Sequence, residues 1–411
     1  MKMTIHLDMI EATRLTRQGR LGEASALLQR MLQSAPAPGA TAAEPSTVHD
    51  STRSAPRESK PAAAIAIGLT GATAENAGDS ARPPVSGLLR GLIEKFARIG
   101  ATPPQPPEVP NIKPQGAQFL SATFKDQSGA RDYKLYVPSV YHGQPLPLVV
   151  MLHGCTQSSD DFAAGTGMNV VAEERGIFVA YPAQPKSANG SKCWNWFDTS
   201  HQQRGRGEPA LIAGITHEIM RNYAIDPRRV YVAGLSAGGA AAAVMAATYP
   251  DIYAAAGVHS GLACGAARDL SSAFSAMQQG TAGAANRSHR STGFHGHDRL
   301  VPTIVFHGDK DATVHPRNGH HVIEQSRPSG PGALRPVTER GHVPGGRTYS
   351  RTCHFDARGR AVLEMWEVHG AGHAWSGGRK AGSYTDPLGP DASREMIRFF
   401  LEHPHPAAKP I

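Results

Sequence analysis

From residue 118 onward the chain alternates short apolar runs with longer stretches of helical spacing. Residues 119–125 and 131–138 predict an antiparallel pair of strands. The runs 147–152 and 177–181 are continuous in apolar residues and predict buried strands. A helix is expected at about 208–222, followed by a strand at 229–234, an Ala-rich helix at 237–249 and a strand at 254–259. Strands at 302–306 and 362–368 and a closing helix at about 391–402 complete the pattern. Strands that alternate with helices need crossovers, which are right-handed, so the pattern implies a mainly parallel sheet covered by helices on both faces. The segment 266–300, rich in Ser, Arg, His and Gly, reads as a loose insertion.

The first third of the chain is patterned differently. Leu7, Ile10 and Leu15, then Leu21, Leu27, Leu28, Met31 and Leu32, suggest two short amphipathic helices broken near Gly19. Residues 34–86 hold mostly Ala, Pro, Ser, Thr and Gly, a composition that cannot offset the entropy of ordering and predicts disorder. A short amphipathic element at 88–96 interrupts it, and a Pro-rich stretch at 103–114 follows. The expected organisation is a helical segment over 1–34, a largely disordered linker over 35–117 and a folded domain over 118–405. The helical segment is too small to bury a core of its own, so it is expected to dock on the main domain, a second copy or a hydrophobic surface.

Composition narrows the classes of function. The 411 residues carry a net charge of +8, but Lys and Arg are scattered, with one loose group at Arg287, Arg290 and Arg299. Without a basic face or motif, a nucleic-acid partner is not expected. No apolar run approaches the roughly 18 residues of a membrane span. Lys2 and Asp8 stand where a signal peptide needs an apolar core, which points to the cytoplasm. The four cysteines, at 155, 193, 264 and 353, form no Cys-x-x-Cys pair and so no zinc pattern. They leave the compartment open. His295-x-His297 lacks a third ligand, and no metal is expected.

Candidate chemistry begins at Gly234-Leu235-Ser236-Ala237-Gly238, between a predicted strand and an Ala-rich helix. This is the context of a nucleophile elbow, in which a strained turn lifts a serine hydroxyl above the sheet edge and small neighbours let strand and helix approach. An acid and then a histidine should follow. Asp309 and Asp311 both lie in the loop after the strand at 302–306, and Asp309 suits a turn-shaping role. His373, between glycines after the last predicted strand, suits the base better than His369 at that strand's end. The backbone N–H groups of Ala237 and Cys155 would form the oxyanion hole.

With Leu152-His-Gly-Cys-Thr-Gln157, Cys193-Trp-Asn-Trp-Phe197, Gly234-Leu-Ser-Ala-Gly-Gly239, His373-Ala-Trp-Ser-Gly-Gly378 and Gly382-Ser-Tyr-Thr-Asp-Pro387, the chain resembles the polyhydroxybutyrate (PHB) depolymerase-like esterases of the α/β-hydrolase superfamily over roughly 118–403. The family's His-Gly-x-x-Asp pattern, present as His307 to Asp311, points to Asp311 as the acid. The resemblance implies a serine esterase with no cofactor, acting on polyhydroxyalkanoate or short acyl esters. Feruloyl and acetyl esters of plant polysaccharides are the alternative, and a non-catalytic hydrolase-fold scaffold a further one. Related esterases are often secreted, which keeps an extracellular location open beside the cytoplasmic one. A Cys155–Cys193 disulfide is expected because both cysteines sit in site-forming loops. Trp375, Trp194 and Trp196 are candidates for the wall of the substrate pocket, with Trp375 favoured by its place two residues after the base. The N-terminal helices would attach the enzyme to a polymer granule.

Overall fold

The structure, a computed structural model, describes residues 115–280, 299, 301–327 and 334–406. The helical segment at 1–34, the linker up to residue 114, Arg287, Arg290, His295 and His297 lie outside the described residues.

One ten-stranded sheet organises the domain. Its strands are β1 (Gln118–Asp126), β2 (Gly129–Val137), β3 (Leu146–Leu152), β4 (Phe178–Pro182), β5 (Ile225–Leu235), β6 (Ala255–His259), β7 (Thr303–Gly308), β8 (Arg335–His342), β9 (Thr348–Phe355) and β10 (Ala361–Val368). Their spatial order is β1-β2-β4-β3-β5-β6-β7-β10-β9-β8. From β4 to β10 neighbouring strands are parallel. Antiparallel strands flank that centre on both sides. Helices α1 (Ser159–Thr166), α2 (Met168–Arg175), α3 (Gly207–Asn222), α4 (Ala237–Thr248), α5 (Leu270–Gln279), α6 (Arg317–Gln325) and α7 (Ala392–Leu401) connect or follow them.

The apolar runs of the central strands serve two cores at once. In β3, Leu148, Val150 and Leu152 pack with Leu211, Ile215 and Ile219 of α3 and with the alanines of α4. Val149 and Met151, pointing the other way, pack with α1, α2 and Met396, Phe399 and Phe400 of α7. Burial on both faces is why these strands show no alternation in sequence.

Several elements were not visible in the apolar pattern. β8 is mostly exposed and polar, and its pairing with β9 is fixed by backbone register and by a Thr338–Thr352 hydroxyl contact of 2.8 Å. α1 is started by Ser158, whose side chain accepts from the Asp161 N–H, and α1 and α2 meet at Gly167, whose φ of 62° ends one helix before the next begins. The expected loose insertion at 266–300 is corrected over its first part: Asp269 closes a capping box with Ser272 and starts α5.

Glu364 of β10 is fully buried and ties three elements together. It accepts hydrogen bonds from Arg351 of β9 at 2.8 Å, Arg398 of α7 at 2.7 Å and the Trp366 indole at 3.1 Å. Burial alone would raise its pKa, but the two arginines outweigh burial and hold the carboxyl below its usual range. Glu364→Ala should cost about 3 kcal/mol, because it takes the buried carboxylate from Arg351 and leaves Arg398 only its outer partners Glu395 and Glu402. Urea unfolding measures this, and a loss within about 0.5 kcal/mol, the range of ordinary surface substitutions, would show that the arginines rehydrate freely.

Candidate active site

Ser236 occupies the single residue between β5 and α4, with φ 58° and ψ −119°. That left-handed φ is strained for a residue with a Cβ. Its N–H donates to the His259 carbonyl of β6 at 2.9 Å, which holds the turn against the neighbouring strand. Close approach demands the two glycines: a Cβ on Gly234 would stand 2.2 Å from the Gly238 carbonyl oxygen, and one on Gly238 only 1.9 Å from that of Leu152. Thr156 (φ 66°) and Tyr384 (φ 51°) also have positive φ and, with Ser236, line one cavity. Strain gathered at one place is a mark of a functional site.

Two acid–histidine pairs bridge the loops that follow β7 and β10. His373 Nδ1 stands 2.7 Å from Asp311 Oδ2, with the carboxylate fully buried and the imidazole 12% exposed. Asp309 instead accepts from the Gly370 N–H at 2.7 Å and faces His369 at 3.2 Å, both side chains more than a third exposed. Asp311 Oδ1 accepts the N–H groups of Thr313 and Val314 at 2.9 and 2.8 Å. Burial acts to raise the Asp311 pKa, but hydrogen bonds from His307 and His373 outweigh it and keep the carboxylate well below its ordinary range. His373 and Ser236 line the same cavity.

A buried polar scaffold aims the proposed oxyanion donors. The Gln184 N–H donates to His153 Nε2 at 3.0 Å, so the His153 proton lies on Nδ1, which donates to the Gly154 carbonyl at 2.8 Å. On the other side of Gly154, its N–H donates to Gln157 Oε1 at 2.9 Å. The Gly154 carbonyl and the Cys155 N–H belong to one planar trans peptide, so fixing the first directs the second the opposite way. Ala237 is the first residue of α4, where an amide has no intrahelical acceptor. Cys155 and Cys193 are joined by a disulfide that ties this loop to the segment carrying Trp194 and Trp196.

The cavity, about 180 Å³, is walled by Trp196, Phe197, Leu262 and the side of α5 formed by Leu270, Ala273, Phe274 and Met277. Of the three tryptophans expected there, Trp196 lines it and the other two stand behind it. Trp194 is fully buried with its indole N–H on the His153 carbonyl at 3.1 Å. Trp375 is packed edge-on against Phe162 and stacked on His259, and its N–H donates to Ser393. Sequence reasoning missed α5, whose spacing of 270, 273, 274 and 277 is that of one helix face. It also missed Tyr384, whose hydroxyl lies 3.2 Å from that of Thr156 at the rim.

His153 and His259 are both almost wholly buried. Burial pushes His153 down to about 4. It also holds His259, which accepts the Ser376 N–H at 2.9 Å, well below the usual histidine range. In the unfolded chain both rings would take up protons near pH ~6.5. The unfolded state therefore binds more protons as pH falls through that value, and stability present above it is lost toward pH ~4. We expect a loss of about 3 kcal/mol between roughly pH 7 and 5, read from urea unfolding. A flat profile would contradict the neutral assignment of both rings.

The mainly parallel sheet with helices between its strands, the strained serine between β5 and α4 and the Asp311–His373 pair on later loops define an α/β-hydrolase. The same architecture is found in an acetyl xylan esterase from Aspergillus awamori, which matches 70% of this chain and 99% of its own at a TM-score of 0.53 and 21% identity. Residues 131–327 match the model of the esterase PHB depolymerase family. The chain is 35% identical over 243 residues to poly(3-hydroxyalkanoate) depolymerase C of Paucimonas lemoignei, covering 58% of this chain and 57% of that protein. It is 30% identical over 228 residues to acetylxylan esterase A of Emericella nidulans, covering 52% and 72%. Feruloyl esterase B of Neurospora crassa is 31% identical over 199 residues, covering 46% and 67%. The chain belongs to the PHB depolymerase-like esterase family of the α/β-hydrolase superfamily.

Proposed function

We propose that this protein hydrolyses carboxylic esters through an acyl-enzyme on Ser236. The observation that carries the reading is the buried Asp311 held 2.7 Å from His373 beside a cavity that Ser236 also lines. His373 takes the proton from Ser236 as its oxygen attacks the ester carbonyl, and Asp311 orients the ring and stabilises its charged form. The N–H groups of Cys155 and Ala237 receive the developing oxyanion. His373 then protonates the leaving alcohol, and water attacks the acyl-enzyme by the same steps in reverse. A fluorophosphonate probe should label the native protein and abolish its hydrolysis of p-nitrophenyl esters. Native protein that neither labels nor turns over would overturn the reading.

The substrate class follows from the wall. Among the described residues lining the cavity, His373 is the sole group with a histidine, acidic or basic side chain, and the rest of the wall is mainly apolar. A neutral ester with a small apolar body fits, and hydroxyalkanoate units, as in the substrate that names the Paucimonas relative, are the favoured case. The feruloyl and acetyl esters that name other relatives are the alternative, and a panel of all three separates them. Ala273 faces this space from α5. Ala273→Phe should lower kcat/KM for butyrate esters by at least about tenfold while sparing acetate esters, since each methylene displaced from a pocket is worth roughly that much. Equal losses on both would show that α5 does not set chain length.

A further inference from the structure

Asp311 does not serve His373 alone. The oxygen that faces His373 Nδ1 at 2.7 Å lies 3.3 Å from Nε2 of a second histidine, His307, at the end of β7. Both the His307 ring and the carboxylate are fully buried. The position of the His307 proton follows from its partners. Nε2 lies 2.8 Å from the Val314 carbonyl, which can only accept, so the proton sits on Nε2 and is donated there, with the Asp311 oxygen beside it at 3.3 Å. His307 Nδ1 is buried and meets no polar atom. Nor can the ring swing away, because it rests on α6 at Gly319, where even an added Cβ would come within 3.0 Å of Nδ1.

The surrounding charges are accounted for element by element. His259 approaches from β6 and His373 from its loop. Asp309, on the same loop as Asp311, is engaged with His369, and Lys310 beside it is exposed. From β10 and α6 come Glu367 and His320, which face each other at 3.2 Å. His315, half-buried, flanks the loop's far end, its Nδ1 accepting the Arg317 N–H. Among the described residues, His373 at 2.7 Å and His307 at 3.3 Å are the titratable side chains that pair with the Asp311 carboxylate.

We infer that His307 is a positioning residue of this site: by giving the Asp311 oxygen a second donor, it draws negative potential away from His373 and lets His373 act as a base at lower pH. The inference rests on the reading of Asp311 and His373 as the acid–base pair. A carboxylate oxygen with one histidine partner turns its whole field on that ring and stabilises the imidazolium. Sharing the oxygen weakens the effect.

The test is the pH profile of kcat/KM for a p-nitrophenyl ester. His307→Phe keeps the ring's bulk and removes the donor, and its acid limb should move to higher pH by about half a unit to one unit. His307→Gln, which retains a side-chain N–H, should return the limb most of the way. Limbs that superimpose for the native protein and His307→Phe would overturn the inference, while labelling of Ser236 by fluorophosphonate would show the parent reading intact. Should His307→Phe fail to fold, proton NMR of the native protein beside Asp311→Asn supplies the measurement. Its slowly exchanging downfield imidazole protons should include one from His307 Nε2 that shifts in Asp311→Asn, and a resonance indifferent to that change would equally refute the shared oxygen.

Discussion

Ser236→Ala is expected to lower kcat/KM for p-nitrophenyl butyrate by about 10⁵-fold, since removing the nucleophile of a triad costs nearly as much as removing the whole triad. The residual rate should come from binding and the oxyanion donors alone. Stability should change little. Alanine keeps the Cβ that the turn already accommodates at φ 58°, and the Ser236 N–H contact to His259 belongs to the backbone. Thermal unfolding should therefore stay within about 0.5 kcal/mol of the native protein, while fluorophosphonate labelling disappears. A variant that keeps its esterase rate and its label would place the nucleophile elsewhere and remove the basis for the proposed mechanism.

The two aspartates of the β7 loop make the second large prediction. Asp311→Asn replaces one buried oxygen with a donor that faces His307 and His373, both of which need an acceptor there. His373 would be forced into the wrong tautomer, and kcat should drop by about 10³- to 10⁴-fold. Asp309→Asn keeps a side-chain oxygen for the Gly370 N–H and alters a pair that is more than a third exposed. Its effect should stay within about threefold, because exposed pairs contribute little. Rates for the two variants on one substrate decide the matter. The reverse order of damage would reassign the acid to Asp309 and the base to His369.

These assignments differ in how far they could be read from the chain. The serine turn was legible because its demands are local: a strand, a serine and glycines at which a Cβ would stand only 1.9 to 2.2 Å from neighbouring backbone oxygens. Between Asp309 and Asp311 only the family's His-Gly-x-x-Asp pattern pointed to Asp311, because the physical difference between them is burial and which loop lies opposite. Trp375 shows the limit most plainly. Its place two residues beyond His373 suggested the pocket, yet the intervening turn sends its ring into the core against Phe162 and His259. α5 was hidden for another reason. Its apolar face is only Leu270, Ala273, Phe274 and Met277, too short a pattern to stand out within a polar stretch. The polar edge strand β8 owes its order to backbone pairing with β9, which carries no hydrophobic signal.

By itself the sequence determined the class of sheet, the order of its strands along the chain, the strained serine turn and the candidates for each role. Those properties follow from residue type and spacing over a dozen positions or fewer. The tertiary structure brought together pairs that the sequence had only proposed, Asp311 with His373 and Cys155 with Cys193, and alone decided the contact of His307 with Asp311 and α5 as a wall of the cavity. Each joins residues brought together by crossovers between parallel strands or by loops converging over the sheet's edge. Such contacts depend on how far each strand extends before its loop begins, which packing on both faces of the sheet sets.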